Sequence, residues 1–321
     1  MYMFKYILKR IALGFLTFFI IMVIVFSLIK MLQPEVPMMG LQAQLEAARR
    51  EALGYNKPIM VQFGIYLKNV VTQWDWGTSW KIDYMSSVSK VLASRLPPTV
   101  ILNSIALLFS LPIGIVLGIV AALKKNRWQD HLISILVMVF ISVPSYVYAY
   151  LVQYTLGFRL GWFPVVISSL YDAGGTWTSQ KMLVSMVLPI LALSFANIAQ
   201  LARFVRAELT EALTSDYMLL ARTKGLTKRQ ATVRHALKNS MVPILPTIIG
   251  MIVGVLGGSM IIESIFAING IGKLYIQSMT QLDYDVFVAT AMFYTAITLS
   301  SMIVIDLSYG FLDPRVRMGA K

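Results

Sequence analysis

The sequence predicts an all-α membrane protein with six transmembrane helices, and three observations predict it. Hydrophobic residues make up 57% of the 321 residues and charged residues 13%, with mean hydropathy +0.71; a soluble domain carries about a quarter charged residues. Six windows are apolar over about 20 residues each, the length a helix needs to cross a ~30 Å hydrocarbon core. Lys and Arg gather in alternate connecting segments, as the positive-inside bias requires.

The first window, 11–32, follows Lys5, Lys9 and Arg10. Its apolar run is longer than a secretory h-region and no small-residue cleavage site follows it, so 1–32 reads as a short stub and a retained first span. Residues 33–96 read as an external helical segment. Helices are expected over 41–54, closed by Gly54 with Pro58 beyond it, over 61–74, and over 88–96, stopped before Pro97. The transmembrane core, 97–308, holds the remaining windows: 97–123, 132–157, 183–202, 242–263 and 286–308. Residues 309–321 form a tail with Arg315, Arg317 and Lys321. Placing the N-terminus, the C-terminus, Lys124, Lys125, Arg127 and the loop 203–241 in the cytoplasm puts most of the 28 Lys and Arg inside, so the topology is N-in/C-in. Trp74, Trp76, Trp80, Trp162 and Trp177 then fall outside. Pro112, Pro144, Pro189, Pro243 and Pro246 interrupt the helices, and Gly250, Gly254, Gly257 and Gly258 mark the fifth window as one of close approach. Two readings stay open for these breaks: packing alone, or a bundle that bends.

Composition also excludes. With no cysteine there is no disulfide, thiolate metal site or Cys nucleophile, and His131 and His235 are too far apart in sequence to suggest a metal cluster. The net charge of +13 would point to nucleic acid in a soluble protein; here orientation accounts for it, and no nucleic-acid partner is expected. AINGIGKL (267–274) ends near Gly-Lys, but Ala267 replaces the first glycine of a phosphate loop and Leu274 the Ser or Thr that would hold Mg²⁺. The chain is therefore expected to bind no cofactor and to catalyse no reaction.

One stretch does not read as membrane. DYMLLARTKGLTKRQATVRHALKNS (216–240) is basic and carries two helix starts and one stop. Ser215 is placed to cap a helix beginning at Asp216, whose carboxylate suits the positive end of the helix dipole. Gly225 is placed to end that helix. Thr227 and Gln230 form a capping box for a second helix running to about Asn239. The first helix carries Tyr217, Met218, Leu219, Leu220 and Ala221, then Arg222 and Lys224. So short a helix is unstable alone and must pack on something. A DNA-binding pair fits poorly between two spans. A helix lying on anionic membrane lipid explains the charge but not the corner. Docking in a groove of a cytosolic protein explains charge, corner and second helix together.

ARTKGLTKRQATVRHALKNSMVP resembles the cytoplasmic signature loop of membrane subunits of ATP-binding-cassette importers. The broad signature falls on Leu219, Leu220, Ala221, Gly225 and His235 to Lys238, and only Ala221, Gly225 and Leu237 keep it. The form with AR-x-KGL and then RHALKN is that of the dipeptide, oligopeptide and nickel branch. LGYNKPIMVQFGIYL, GTS (77–79), SRLPPTVILN (94–103), ESIFAINGIGKL (263–274, with Asn269 where proline is usual) and LDPRVR (312–317) resemble further segments of that branch in the same order. The long 33–96 segment resembles the first of its two paired permeases.

The resemblance implies a type I importer permease fold in a bacterial or archaeal cell membrane. It implies a second homologous permease as heterodimer partner, two cytosolic ATPases that hold ATP and Mg²⁺, and an extracellular or periplasmic peptide-binding protein. It makes 216–225 the helix that couples to an ATPase: Tyr217, Leu220 and Ala221 as its inserted face, Asp216 at its start, Arg222 and Lys224 as rim charges, and Gly225 as its corner. Asn103, Gln153, Asn197, Gln200 and Glu263 lie in or near spans and are candidates for lining the substrate path; bonding between helices is the alternative for each. Oligopeptide is the cargo expected first, with nickel or another small solute as the alternative. A secondary transporter is a weaker rival, because Glu263 and Asp306 lie near span ends rather than at mid-depth.

Overall fold

A computed structural model describes residues 2–32, 44, 47–48, 51 and 57–312. Apart from positions 44, 47–48 and 51, the helix expected over 41–54 lies outside the described residues, as do Arg315, Arg317 and Lys321. In chain order the structure runs α1 (Tyr2–Leu32), α2 (Ile59–Gln73), a two-residue antiparallel ladder of β1 (Thr78–Ser79) and β2 (Ser86–Ser87), α3 (Val88–Leu123), α4 (Trp128–Ser142), α5 (Ser145–Val152) with a π-helical extension (Gln153–Arg159), and α6 (Gln180–Thr214). It continues with α7 (Asp216–Thr223), α8 (Lys228–Ala231), a π-helical segment (Thr232–Ala236), α9 (Leu237–Met241), α10 (Leu245–Gly254), α11 (Met260–Ile265), α12 (Ile271–Thr280) and α13 (Tyr284–Leu312).

Among the described residues, four helical segments are individually long and apolar enough to cross a membrane: Tyr6–Leu32, Val88–Leu123, Gln180–Thr214 and Tyr284–Ser308. Two bent pairs supply the other spans, and counting each pair as one gives six. Here the structure corrects the sequence windows. The third window is no single rod: α4 and α5 meet at 105°. Val143 precedes Pro144 and is extended (φ −83°, ψ 127°), as the ring of a following proline demands. The fifth window, 242–263, holds the ten residues of α10 and only the first turn of α11. Its span pairs α10 with the preceding Lys228–Met241, bent by 52° beside Pro243 and Pro246. Beyond Gly254 the chain turns and restarts as α11, where Ser259 Oγ accepts from the Ile262 N–H (3.4 Å). The expected stop before Pro97 is absent too, because α3 runs through Pro97, Pro98 and Pro112. Val88 and Val91 on one side of the prolines and Thr99 and Leu102 on the other are all buried, and this packing holds the helix together where local propensity would end it.

The chain divides into two compact units. One comprises Met1–Pro97 and Gly270–Ser300. In it Met22 and Phe26 of α1 pack with Phe63 of α2 and with Val288 and Met292 of α13, and Phe26 stacks on Tyr66 at 5.0 Å. Its outer loop is tied down by one carboxylate. Asp283 Oδ2 accepts from Ser79 Oγ (2.7 Å) and from the N–H groups of Trp80 (3.1 Å), Lys81 (3.0 Å) and Ile82 (3.2 Å). Asp285 Oδ2 accepts from the Thr78 N–H at 3.2 Å. Gly77 has φ +107°, and a Cβ there would lie 2.6 Å from that Asp285 oxygen, so the Gly-Thr-Ser run at 77–79 is a carboxylate-bound turn that admits no side chain at its first position.

The other unit comprises Pro98–Asn269 and Ser301–Lys321 and is built around α6. α3 approaches α6 closely through Gly114 and Gly118. A Cβ on Gly118 would stand 2.5 Å from Val205 Cβ and 2.8 Å from the Ala202 carbonyl oxygen, a small-xxx-small contact between backbones. Ser194 Oγ donates to the carbonyls of Ile190 (2.7 Å) and Ala106 (3.2 Å), and so adds a polar link between the same helices. Gly118→Leu is expected to overpack this crossing and destabilise the protein by about 1–3 kcal/mol. Gly64→Ala in α2, where a Cβ meets nothing within 4 Å, is expected to be neutral or slightly stabilising. Thermal unfolding of the detergent-solubilised protein checks both.

Candidate functional site

The basic insert folds as a helix pair seated on the end of α6. Ser215 is extended (φ −74°, ψ 154°), but its hydroxyl does not cap α7. Instead Ser215 Oγ donates at 2.6 Å to the Ala212 carbonyl, which also accepts from the Ser215 N–H (3.4 Å) in the last turn of α6. The helix starts at Asp216 as expected and ends one residue early, at Thr223. Gly225 follows at φ +90° with open space around its α-carbon, so the constraint there is the backbone angle. Both bonds of the capping box form: the Gln230 N–H donates to Thr227 Oγ1 (3.3 Å) and the Thr227 N–H to Gln230 Oε1 (3.0 Å). The second helix runs to Met241 and widens into a π-helical turn over Thr232–Ala236.

The two faces of α7 differ sharply. Met218 and Ala221 are buried with Leu209 and Ala212 of α6, Ala122 of α3, and Ala231 and Ala236 of the second helix. Tyr217, Leu226 and Leu237 pack around that cluster. Facing outward are Asp216, Leu219, Leu220, Arg222 and Lys224, with Leu219 66% and Leu220 56% exposed. Of the expected contact residues, Ala221 thus lies inside the chain's own core and Tyr217 at its edge, while Leu219 joins Leu220 on the free face. Positions three and four apart share a helix face, so Ala221 goes with Met218 and Tyr217 rather than with Leu220.

A second feature lies deeper in the same unit. A cavity of about 270 Å³ is lined by Asn103 and Leu107 of α3, Ser145 and Tyr148 of α5, Ala192, Leu193, Ala196 and Asn197 of α6, and Met251, Gly254, Val255, Gly258, Ser259 and Ile262 from the end of α10 to α11. Asn103 and Asn197, both expected from sequence, come together here. Asn103 Nδ2 donates to its own helix at the Thr99 carbonyl (2.7 Å). Gln153, Gln200 and Glu263 are not in the lining. Gln153 is a brace, its Nε2 donating to the carbonyls of Val165 (2.7 Å) and Ile265 (3.0 Å). Gln200 is exposed elsewhere on α6. Glu263 is buried one residue beyond the lining residue Ile262 and accepts from Thr99 Oγ1 at 2.9 Å. Sequence reasoning missed Ser145, Tyr148 and Ser259. Their signal was the break itself: Ser145 follows Pro144 and Ser259 follows Gly258.

It also missed the link between Asp130 and Arg206. Arg206 Nε and Nη2 contact the two carboxylate oxygens of Asp130 at 2.5 and 2.9 Å, and the Asn126 N–H donates to Asp130 Oδ2 at 2.9 Å. The carboxylate is buried, and the fork fastens the start of α4 to α6.

Residues 114–318 match the family described as binding-protein-dependent transport system inner membrane component. The chain belongs to this family. It is 37% identical over 319 residues to the dipeptide transport system permease protein DppB of Lactococcus lactis subsp. cremoris (strain MG1363), covering 98% of this chain and 100% of that protein. It is 33% identical over 320 residues to DppB of Bacillus subtilis (strain 168), covering 99% of each. It is 34% identical over 319 residues to the oligopeptide transport system permease protein OppB of Escherichia coli (strain K12), covering 98% and 100%. A solved chain described as an amino acid ABC transporter with histidines aligns at 21% identity and TM-score 0.48 over 68% of this chain and 92% of that one. The protein is a multi-pass inner membrane permease component, and its apolar helices are membrane spans.

Removing Arg206 leaves the buried Asp130 carboxylate without its partner, whereas removing Asp130 leaves a partly exposed guanidinium. Asp130→Asn and Arg206→Met are each expected to lower the thermal midpoint of this permease, Arg206→Met more, because it strands the Asp130 carboxylate. Their double variant should lose less than the sum of the two, which a double-mutant cycle on the purified protein reads directly.

Proposed function

We propose that this permease forms half of the translocation path of an ATP-driven peptide importer and takes its energy from cytosolic ATPases through α7. The single observation that carries the cargo assignment is the near-full-length similarity to dipeptide and oligopeptide permeases of the family. A second permease completes the path, two ATPases bind ATP and Mg²⁺ at their own sites, and a binding protein delivers peptide from outside. The permease itself holds no cofactor and catalyses no reaction.

The geometry supports the coupling role. An eight-residue helix with two exposed adjacent leucines and flanking Arg222 and Lys224 suits an apolar groove with an acidic rim. Its other face is locked to α6, so force applied at Leu219 and Leu220 passes to a helix that reaches the cavity. The cavity, with Asn103, Asn197 and Ser145 among its polar lining and no charged side chain in it, suits neutral amide groups passing through. It forms this chain's share of the path.

Two measurements test the reading. A cysteine at Leu220, in a chain otherwise free of cysteine, is expected to crosslink to an ATPase subunit in the assembled complex. Labelling of that cysteine by lipid-borne probes alone, with no ATPase adduct, would return α7 to the bilayer surface. Gly225→Val imposes a strain of about 1–2 kcal/mol at φ +90°. It is expected to lower peptide uptake per ATP hydrolysed in reconstituted vesicles while the complex still assembles; unchanged uptake per ATP would show that the corner is not needed.

A further inference from the structure

The outward face of the third span carries a row of aromatic side chains. Tyr146, Tyr150, Tyr154 and Phe158 stand four residues apart along α5 and its extension, and they are 43%, 55%, 54% and 75% exposed. In a straight α-helix a four-residue repeat drifts round the axis. Here the wider π-helical turn begins at Gln153 and offsets that drift over the last step, so Tyr154 and Phe158 stack at 5.8 Å. The opposite face, with Ala149, Val152, Leu156 and Gly157, packs into the core. The three tyrosine hydroxyls have no hydrogen-bond partner among the described residues.

Depth decides what such a face meets. Ser145 and Tyr148 share the cavity with Ala192, Leu193, Ala196 and Asn197, in the centre of the apolar stretch 183–202. A Cβ on Gly157 would touch Leu188 Cδ1 at 3.1 Å, nearer the outer end of α6. The row therefore starts at mid-depth, at Tyr146, and climbs outward to Phe158. Interfacial tyrosines sit at headgroup level, where their hydroxyls are wet. A row that begins at mid-depth would hold hydroxyls in hydrocarbon if it faced lipid, and each unsatisfied hydroxyl there is costly. A hydrated path removes that cost, and Ser145 and Tyr148 on the adjoining face of the same helix already line the cavity.

We infer that Tyr146, Tyr150, Tyr154 and Phe158 form the cargo-facing wall of the outer half of the path, and that the cargo they meet is an extended peptide. The inference rests on peptide import as proposed above. Aromatic rings contact apolar and aliphatic side chains of any identity through their faces, and phenol hydroxyls both donate to and accept from peptide amides. Such a wall holds peptides weakly and without regard to sequence.

The test places photoreactive p-benzoylphenylalanine at Tyr150 in the full complex in lipid vesicles, with radiolabelled trialanine and penta-alanine as cargo. Wild-type complex is first assayed for uptake; if it imports neither peptide, the peptide reading falls and this inference falls with it. Given uptake, irradiation during turnover is expected to yield a peptide adduct on this chain that requires ATP. Adducts only with lipid, or only with the second permease, would overturn the inference and leave peptide import standing. If the Tyr150 variant does not assemble, the same probe at Tyr154 reads the same face. Tyr150→Ala with Tyr154→Ala is expected to slow uptake by about two- to tenfold, the scale of a lost aromatic contact, while Tyr150→Phe with Tyr154→Phe retains more than the alanine pair. Equal uptake by the alanine pair and the wild type would also count against the wall.

Discussion

The methyl-sized packing between α7, the second helix of the insert and the end of α6 is the interaction on which the proposed mechanism depends. Eight residues in a helix have no stability of their own. What fixes α7 is the seating of Met218 and Ala221 among Leu209, Ala212, Ala231 and Ala236. Alanines let the backbones approach closely, and close approach leaves little freedom to slide. The helix thus has one face packed on its own chain and one that is exposed. From there α6 runs 35 residues, about 52 Å, past Asp130, the α3 crossing and the cavity. A short polar insert can move a membrane helix only if it is welded to one.

The second constraint is the demand of lipid for satisfied backbone groups. Where the chain breaks inside the bundle, something must pair with what the break exposes. Gln153 does so for two carbonyls at once, Val165 and Ile265. Thr99 and Glu263 close the turn at Gly258, whose φ of +63° and missing side chain let the carboxylate approach. The breaks at Pro144 and at Gly257–Gly258 are also what shape the cavity, since continuous rods would have filled that space. Bending and cavity formation therefore share one cause.

Local chemistry was legible in the sequence and long-range chemistry was not. The Thr227–Gln230 box, the Gly225 stop and the four uninterrupted spans follow from residues within one or two turns of each other. The 105° bend in the third span was hidden because Pro144 marks a break without stating its angle, which the crossings with α6 set. Ser215 does not cap α7; its hydroxyl points back and donates to the Ala212 carbonyl. Ala221 was read as outward because composition cannot say which face of a short helix finds its own chain first. Asp130 with Arg206 and Asp283 with the 79–82 backbone join residues some 76 and 200 positions apart, and no periodicity records such pairs.

The account's central claim is that α7 and α6 move as one body. Spin labels on introduced cysteines at Leu219 and at Arg203, with electron-electron distance measurements on the reconstituted complex, test it most directly. The claim predicts one narrow distance, unchanged between the nucleotide-free and ATP-bound states. A distance that broadens or shifts by several ångströms on ATP binding would show α7 moving independently and would contradict it.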